Sequence, residues 1–449
     1  MWWDERRPSN PAIDLKTREG SHSTHTKLLK AFVDLDCPYV RSLVLEAFQQ
    51  HPWWQVLCPA VDQDQSSNVD EQHAPSAEAA ASHFVWAEYE RLDWERIYAG
   101  EQWASSYCIR KGLIRKAHLA HNLKKWAAKH PDGLLAASVP ETHVMEVDDV
   151  DYIDEALADV YEVRDMADGS ATWIAKPSIT NQAIGICIFD RVSTLRSALE
   201  AAEDMREWVV QRYVERPLLV SGRKFHIRTY VLCLGSLSVY VFNEALALFA
   251  GEPYKGAPLE ELSAHLTNTC RLARQDAEAG SRDDSAGAEE RQTVMLMSEL
   301  PQALHEQGMA LAEAREQVQQ LTRDMHKILG ECMEAVSSEL SFFTLPNCFE
   351  LFGFDLLVDE DWHLWLLEAN AEPDLAQTGK RLRPVMASLV QGILNLVLPS
   401  VLAGDSLLQG QHVSAVPDGK LAGEWVKVFE RQQGGRGFAG AASTRRSWC

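Results

Sequence analysis

Basic residues are in short supply in this chain. It carries 43 Lys and Arg against 65 Asp and Glu, a formal net charge of −22. That excludes the overall electrostatic footprint of a nucleic-acid binder; a local basic patch would have to replace it. No run of about 18 apolar residues is found, so no membrane span is expected. The opening M-W-W-D-E-R-R has no apolar core of a signal peptide. Paired cysteines are missing as well. The nine cysteines stand singly, none in C-x-x-C, and most within apolar runs. This argues against a disulfide framework or a cysteine zinc site, and for reduced thiols in the cytosol or nucleus. His118, His121 and His130 lack metal-site spacing, and no internal repeat is evident. What remains is a globular composition, 46% hydrophobic and 24% charged over 449 residues. That length suffices for two or three subdomains with a sizeable core.

The most informative stretch is Phe349–Ala371, F-E-L-F-G-F-D-L-L-V-D-E-D-W-H-L-W-L-L-E-A-N-A. Two apolar runs, Phe349–Val358 and Trp362–Leu367, flank an acidic turn, which predicts a β-hairpin. Among the polar groups that interrupt it, three stand out: Asp355, Glu368 and Asn370. Glu368 and Asn370 lie two apart, so an extended chain points both to one face. Two carboxylates and an amide oxygen are hard ligands of the kind Mg²⁺ takes, completed by water and nucleotide phosphates. An acid among leucines otherwise needs a partner.

The rest of the chain reads as α/β. Thr26–Leu57 predicts a strand and an amphipathic helix, with Val40, Leu43, Val44, Ala47 and Phe48 at helical spacing. Ala60–Ser82 has the composition of a disordered insert, and His83–Leu92 resumes as a strand. Tyr107–His130 is a basic helix stopped at Pro131-Asp132-Gly133. Met145–Met166 reads as an acidic helical insertion. Trp173–Phe189 predicts two strands around a flexible loop, with Lys176 ending the first, where a fixed ammonium can bind phosphates. Trp208–Pro217 is a buried strand. Gly222–Leu232 is another, in which Lys224 and Arg228 alternate with Phe225 and Ile227. Ser238–Phe249 is a strand pair. Leu272–Gln292 reads as a disordered insert and Thr293–Leu340 as helix, with Leu311, Val318, Leu321, Met325, Ile328 and Leu329 as its stripe. Pro384–Val401 is a closing helix, and Gly404–Cys449 a disordered tail.

Several of these segments occur together in a known order. W-I-A-K, Q-R-Y-V-E-R-P-L-L, R-K-F-x-I-R, H-L-T-N and F-E-L-F-G-F-D…L-L-E-A-N resemble the tubulin–tyrosine ligase family of the ATP-grasp superfamily. The resemblance runs from about Leu113 to Leu402. It implies an α/β (α+β) ATP-grasp fold of three subdomains, with ATP between two antiparallel sheets. The expected division is an N-terminal subdomain over 26–110 with its insert at 60–82, and a central one over 111–215. A C-terminal subdomain over 216–403 with its insert at 272–292 follows, and then the tail.

The resemblance also implies roles. Lys116 in L-I-R-K-A-H-L and Lys176 reach nucleotide phosphates, and Gly185 belongs to the loop over them. Gln211 and Tyr213 form the hinge against adenine. Lys224 and Arg228 face phosphates and substrate as the catalytic pair, and Asn268 in H-L-T-N touches nucleotide or acceptor. Asp355, Glu368 and Asn370 hold Mg²⁺. The implied reaction is ATP-dependent joining of a carboxylate to an amine through an acyl phosphate, adding an amino acid to a protein. No enzyme nucleophile is required. The expected partners are ATP and a protein acceptor, the tubulin tail or another protein, for a cytoplasmic monomer.

Four positions depart from the family pattern. Gln182 replaces a basic residue and Ala183 a glycine of the phosphate loop, so the loop is stiffer and one charge poorer. His226 replaces an Asp, and Leu248 an Arg that would clamp a carboxylate substrate. Three readings therefore stand side by side: a tubulin-modifying ligase, an ATP-binding scaffold that has lost ligation, and an ATP-grasp ligase for another substrate.

Overall fold

The structure is a computed structural model that describes residues 29–59, 77–166, 168–180, 184–202, 204–267, 293–404 and 425–431. Three sheets organise it. The first holds β1 (Leu29–Asp34), β2 (Trp54–Leu57), β3 (Phe84–Ala87) and β4 (Trp103–Ala104), all parallel in the order β2-β1-β3-β4. The amphipathic helix Pro38–Phe48 buries Leu43, Val44, Ala47 and Phe48 against it, as its spacing predicts. The last part of the segment expected to be a disordered insert is ordered. A helical turn forms over Ala77–Ala80, and Gln102 donates to the carbonyls of Ala79 and Ser82. These backbone groups are satisfied by a side chain some 20 residues away, which composition cannot reveal. Residues 60–76 lie outside the described residues.

The second sheet is antiparallel, in the order β5-β8-β6-β7. Its strands are β5 (Thr142–Glu146), β6 (Asp168–Pro177), β7 (Cys187–Arg191) and β8 (Glu207–Arg212). Helices at Ile153–Asp159 and Tyr161–Met166 cover one face, burying Ile153, Leu157 and Val163 with Trp173 and Trp208. The acidic insertion is therefore helical and packs on the core.

The third sheet is built on β10 (Arg223–Leu234). Around it lie β9 (Leu219–Val220), β11 (Ser238–Phe242), β12 (Leu246–Phe249), β13 (Val294–Leu296), β14 (Phe349–Val358) and β15 (Leu364–Ala371). The region read as continuous helix over Thr293–Leu340 opens instead with β13, which pairs β12, before helices at Leu300–Glu306 and Leu311–Ser337. Val294-Met295-Leu296 is apolar in either period, so spacing alone does not separate the two.

The largest correction concerns the tail. Residues Trp425–Glu430 form β16, antiparallel to β11 at the sheet edge. Trp425 is buried against Phe242 with ring centroids 5.2 Å apart. Gly392 of the helix Arg383–Gly404 makes room for it, since a Cβ there would come within 2.8 Å of Trp425 Cδ1. The six-residue run W-V-K-V-F-E sits in a Gly-rich neighbourhood that hides its strand character. The other residues of 405–449, apart from Arg431, lie outside the described residues.

The closing helix needs a second correction. Arg383–Leu402 is long and apolar enough to cross a bilayer by length and composition, contrary to the expectation that no such run exists. Ser388, Gln391 and Asn395 interrupt it in sequence and obscure its overall hydropathy. Half of it is buried, with Met386, Leu389, Ile393 and Val397 packed in the core shared by the first and third sheets.

Candidate nucleotide and metal site

The hairpin β14–β15 forms as expected, and its register contains a device the spacing does not reveal. Asp355 pairs with Glu368, whereas Leu356 pairs with Leu366, so Leu367 is an extra residue. Side chains alternate with period two, so a one-residue shift turns a strand over. The bulge brings Glu368 and Asn370 onto the face of Asp355. The Asn370 amide nitrogen lies 3.3 Å from Asp355 Oδ2 and 3.5 Å from Glu368 Oε1. Three hard-oxygen side chains thus meet at one spot, a donor set that fits Mg²⁺. The amide donates to both carboxylates here, and turning it over presents its oxygen to a cation instead.

Arg228 lies against the same carboxylate. Its Nη2 donates to Asp355 Oδ2 at 2.9 Å and its Nε to Oδ1. Gly353 makes this possible, because a Cβ there would meet Arg228 Cδ at 3.2 Å and Pro373 Cβ at 2.9 Å. Burial opposes ionisation of Asp355, but Arg228 and then His226 overcome it and hold the carboxyl well below its usual range. Burial also opposes the charge on Arg228, and Asp355 more than offsets it. His226 Nε2 stands 3.3 Å from Asp355 Oδ1, and its Nδ1 bonds the Thr267 hydroxyl.

Three lysines border the same groups. Lys176 at the end of β6 donates to Gln211 Oε1 at 3.0 Å, and Gln211 Nε2 donates to Thr142 at 3.0 Å. Burial pushes the Lys176 ammonium down, partly offset by Glu368. Lys224 donates to the Tyr213 hydroxyl at 2.9 Å and lies 4.3 Å from that ring's centroid. Burial, helped by the neighbouring Lys176, lowers Lys224 to about 7. Lys116, first residue of the helix Lys116–Ala127, donates to Thr180 O at 2.9 Å and sits 3.6 Å from Glu368 Oε2. The helix start thereby holds the beginning of the loop that follows β6, and Ala117 N also bonds the Ser178 hydroxyl at 3.1 Å.

A cavity opens between the second and third sheets. Of the residues singled out in the sequence, Lys176, Gln211, Tyr213, Lys224, Asp355 and Glu368 line it. Lys116, Arg228 and Asn370 do not line it but bond to residues that do. Gly185 is set back from it, at φ +76° against Pro177, where a Cβ would come within 2.8 Å. Gln182, Ala183 and Asn268 lie outside the described residues. The cavity also exposes His265 and Thr267, and His265 is a residue the sequence reading passed over. Arg110 was missed too. It pairs with the buried Glu350, whose carboxyl burial raises to about 7 despite that guanidinium.

Residues 104–405 match the tubulin-tyrosine ligase family. The chain belongs to that family. A probable tubulin–tyrosine ligase of Schizosaccharomyces pombe is 32% identical over 362 residues, covering 71% of this chain and 83% of the relative. The probable tubulin–tyrosine ligase PBY1 of Saccharomyces cerevisiae is 29% identical, and the alignment spans only 46% of its length. The crystal structure of the C-terminal domain of K. lactis Pby1, an ATP-grasp enzyme interacting with the mRNA decapping enzyme Dcp2, superposes with a TM-score of 0.60. That match is 25% identical and covers 90% of this chain and 99% of the domain. This member of the tubulin-tyrosine ligase family has the ATP-grasp fold, and its cavity lies where the fold's two antiparallel sheets face each other.

Within that family, two of the departures now have positions. His226 and Leu248 are direct partners across β10 and β12. Leu248 is 1% exposed and packs with Tyr230, Leu246 and Val294 in the core.

Proposed function

We propose that the chain is an ATP- and Mg²⁺-dependent carboxylate–amine ligase that adds an amino acid to a protein through an acyl phosphate. The observation that carries this reading is the meeting of Lys176 and Lys224 with Asp355 and Glu368 around one cavity. Lys176 reaching in from the second sheet, with Lys224, Asp355 and Glu368 on the third, suits a polyphosphate bridged to a metal. Mg²⁺ would be held by Asp355, Glu368 and Asn370, and when bound it neutralises phosphate charge. Lys116, Lys176 and Lys224 bind and orient the phosphates, and Gln211 and Tyr213 border the base. Arg228 keeps Asp355 ionised, and the apolar part of the lining, Ile174, Ile186, Leu357 and Leu367, excludes water from the transferring group.

The acceptor is a protein tail, from tubulin or another protein. With a net charge of −22, an acidic tail is repelled unless the cleft is locally basic. A second reading, an ATP-binding scaffold without ligation, is favoured by buried Leu248 where the family pattern has a substrate-binding Arg. A partner related to the mRNA decapping enzyme, such as the one the K. lactis domain interacts with, fits that reading.

The deciding experiment supplies ATP, Mg²⁺, a panel of amino acids and tubulin to the purified protein, reading ADP release and acceptor mass. An amino-acid mass increment supports the ligase. ATP binding with neither ADP nor a mass shift, repeated with other acceptors, favours the scaffold.

A further inference from the structure

Lys224 is a buried amine held by a chain of groups that runs through His265, to which the ligase reading gives no role. Its Nζ donates to Tyr213 Oη at 2.9 Å, Tyr213 Oη lies 2.9 Å from His265 Nδ1, and His265 Nε2 lies 3.0 Å from the carbonyl of Pro258. A carbonyl only accepts, so Nε2 carries the imidazole proton and Nδ1 is the bare acceptor. Tyr213 must therefore donate its single proton to His265. Its oxygen is left with only lone pairs to offer Lys224. Each member fixes the direction of the next, from the Pro258 carbonyl to the amine.

The surroundings agree with a neutral relay. Burial pushes the His265 imidazole down, opposed by the Pro258 hydrogen bond and reinforced by Lys224. Burial raises the Tyr213 hydroxyl well above its usual range, so it keeps its proton. The scaffold that carries His265 is also in place. Leu259, Leu262 and Leu266 flank it in sequence and pack with Tyr254 on Ile174 and Ile188 of the second sheet and on Tyr213, which follows β8. Tyr254 Oη donates to Glu215 O at 2.9 Å, which ties the 251–267 segment down at its other end.

We infer that His265 is a positioning residue that acts through the Tyr213 hydroxyl to aim Lys224 into the nucleotide cavity. Without the imidazole acceptor, the hydroxyl proton is no longer held in one direction, and the lone pair offered to Lys224 is no longer fixed. This inference rests on the ligase reading for the statement that the cavity takes ATP.

Two near-isosteric substitutions separate positioning from packing. The Asn side-chain oxygen sits close to where Nδ1 was, so His265→Asn keeps the Tyr213 acceptor and loses the Pro258 contact. The Gln nitrogen sits close to where Nε2 was, so His265→Gln keeps the Pro258 contact and loses the acceptor. Tyr213→Phe removes the hydroxyl and keeps the ring. ATP and AMP affinities of the full chain are measured for each by calorimetry. The expected result is near-native binding for His265→Asn. For His265→Gln and Tyr213→Phe, ATP should weaken about tenfold, the scale of one charge-assisted hydrogen bond, with AMP little changed. Variants that keep the native ratio of ATP to AMP affinity overturn the inference, as does equal loss for both nucleotides, which a packing role would cause. A native protein that binds neither nucleotide overturns the ligase reading and this inference with it. Native ATP binding with an unmoved ratio in the variants overturns this inference alone.

Discussion

Replacing Arg228 by Leu tests whether the centre of the site is held by one buried ion pair. Asp355 is 3% exposed and Arg228 8%, and the guanidinium meets the carboxylate through both Nε and Nη2. Removing one partner of such a pair costs about 3–5 kcal/mol, mostly from the charge left buried. His226 Nε2, 3.3 Å from Asp355 Oδ1, offers partial relief, so the cost should fall near ~3 kcal/mol. At an m-value of ~3 kcal/mol/M this lowers a urea midpoint by about 1 M. The paired variant Arg228→Leu/Asp355→Leu leaves no charge behind and should recover most of the loss. The pH dependence has a definite sign. The folded carboxyl is held below its ordinary 3.8, so the pair's contribution is complete above that value and fades as pH falls through the folded pKa. The gap between native protein and Arg228→Leu should therefore narrow under acid. An unchanged midpoint in the single variant, or a double variant no more stable than the single, would refute the reasoning.

Two further outcomes follow from the geometry. Lys176→Ala should weaken ATP by roughly 2–3 kcal/mol and AMP far less, because AMP lacks the outer phosphates; equal losses in calorimetry would make Lys176 a structural residue instead. Trp425→Ala should cost about 3–5 kcal/mol in thermal or urea unfolding, the penalty for emptying a buried aromatic site; a cost under ~1 kcal/mol would mean that β16 is dispensable to the fold.

The sequence made the metal-side hairpin legible for a physical reason. Two carboxylates and an amide inside apolar strands are too costly to bury without a purpose, so Asp355, Glu368 and Asn370 stand out. The bulge at Leu367 that gathers them onto one face left no such mark, because Leu367 is simply one more apolar residue in the run. Lys176 was visible as a cation ending a strand, while its Gln211 partner lies 35 residues away and required the fold. His265 was read only as part of H-L-T-N. Its meaning comes from Tyr213, 52 residues away. The Arg110–Glu350 pair spans 240 residues and was invisible for the same reason. Local rules found the elements, and distant pairings assigned their side chains. The tail strand is the opposite case: a local signal too short to rise above its Gly-rich surroundings.

The two substrate-side departures turn out to be one structural event. His226 and Leu248 oppose each other across β10 and β12, and such cross-strand side chains touch. An Asp and an Arg placed together at these two positions would stand as a cross-strand ion pair. Losing either member alone would strand a buried charge. Replacing both, by an imidazole that serves Asp355 and Thr267 and by a leucine that joins the core, removes that cost. It follows that Leu248→Arg alone cannot restore a carboxylate clamp. It would push a guanidinium into a core position that is 1% exposed, beside Arg228 and facing His226. The double change His226→Asp/Leu248→Arg should be more stable than Leu248→Arg by about 2–4 kcal/mol, the worth of giving a buried charge its partner. In unfolding experiments the two changes should therefore couple strongly. If instead their effects add, the positions are independent, and the loss of the clamp must be explained by substrate choice alone.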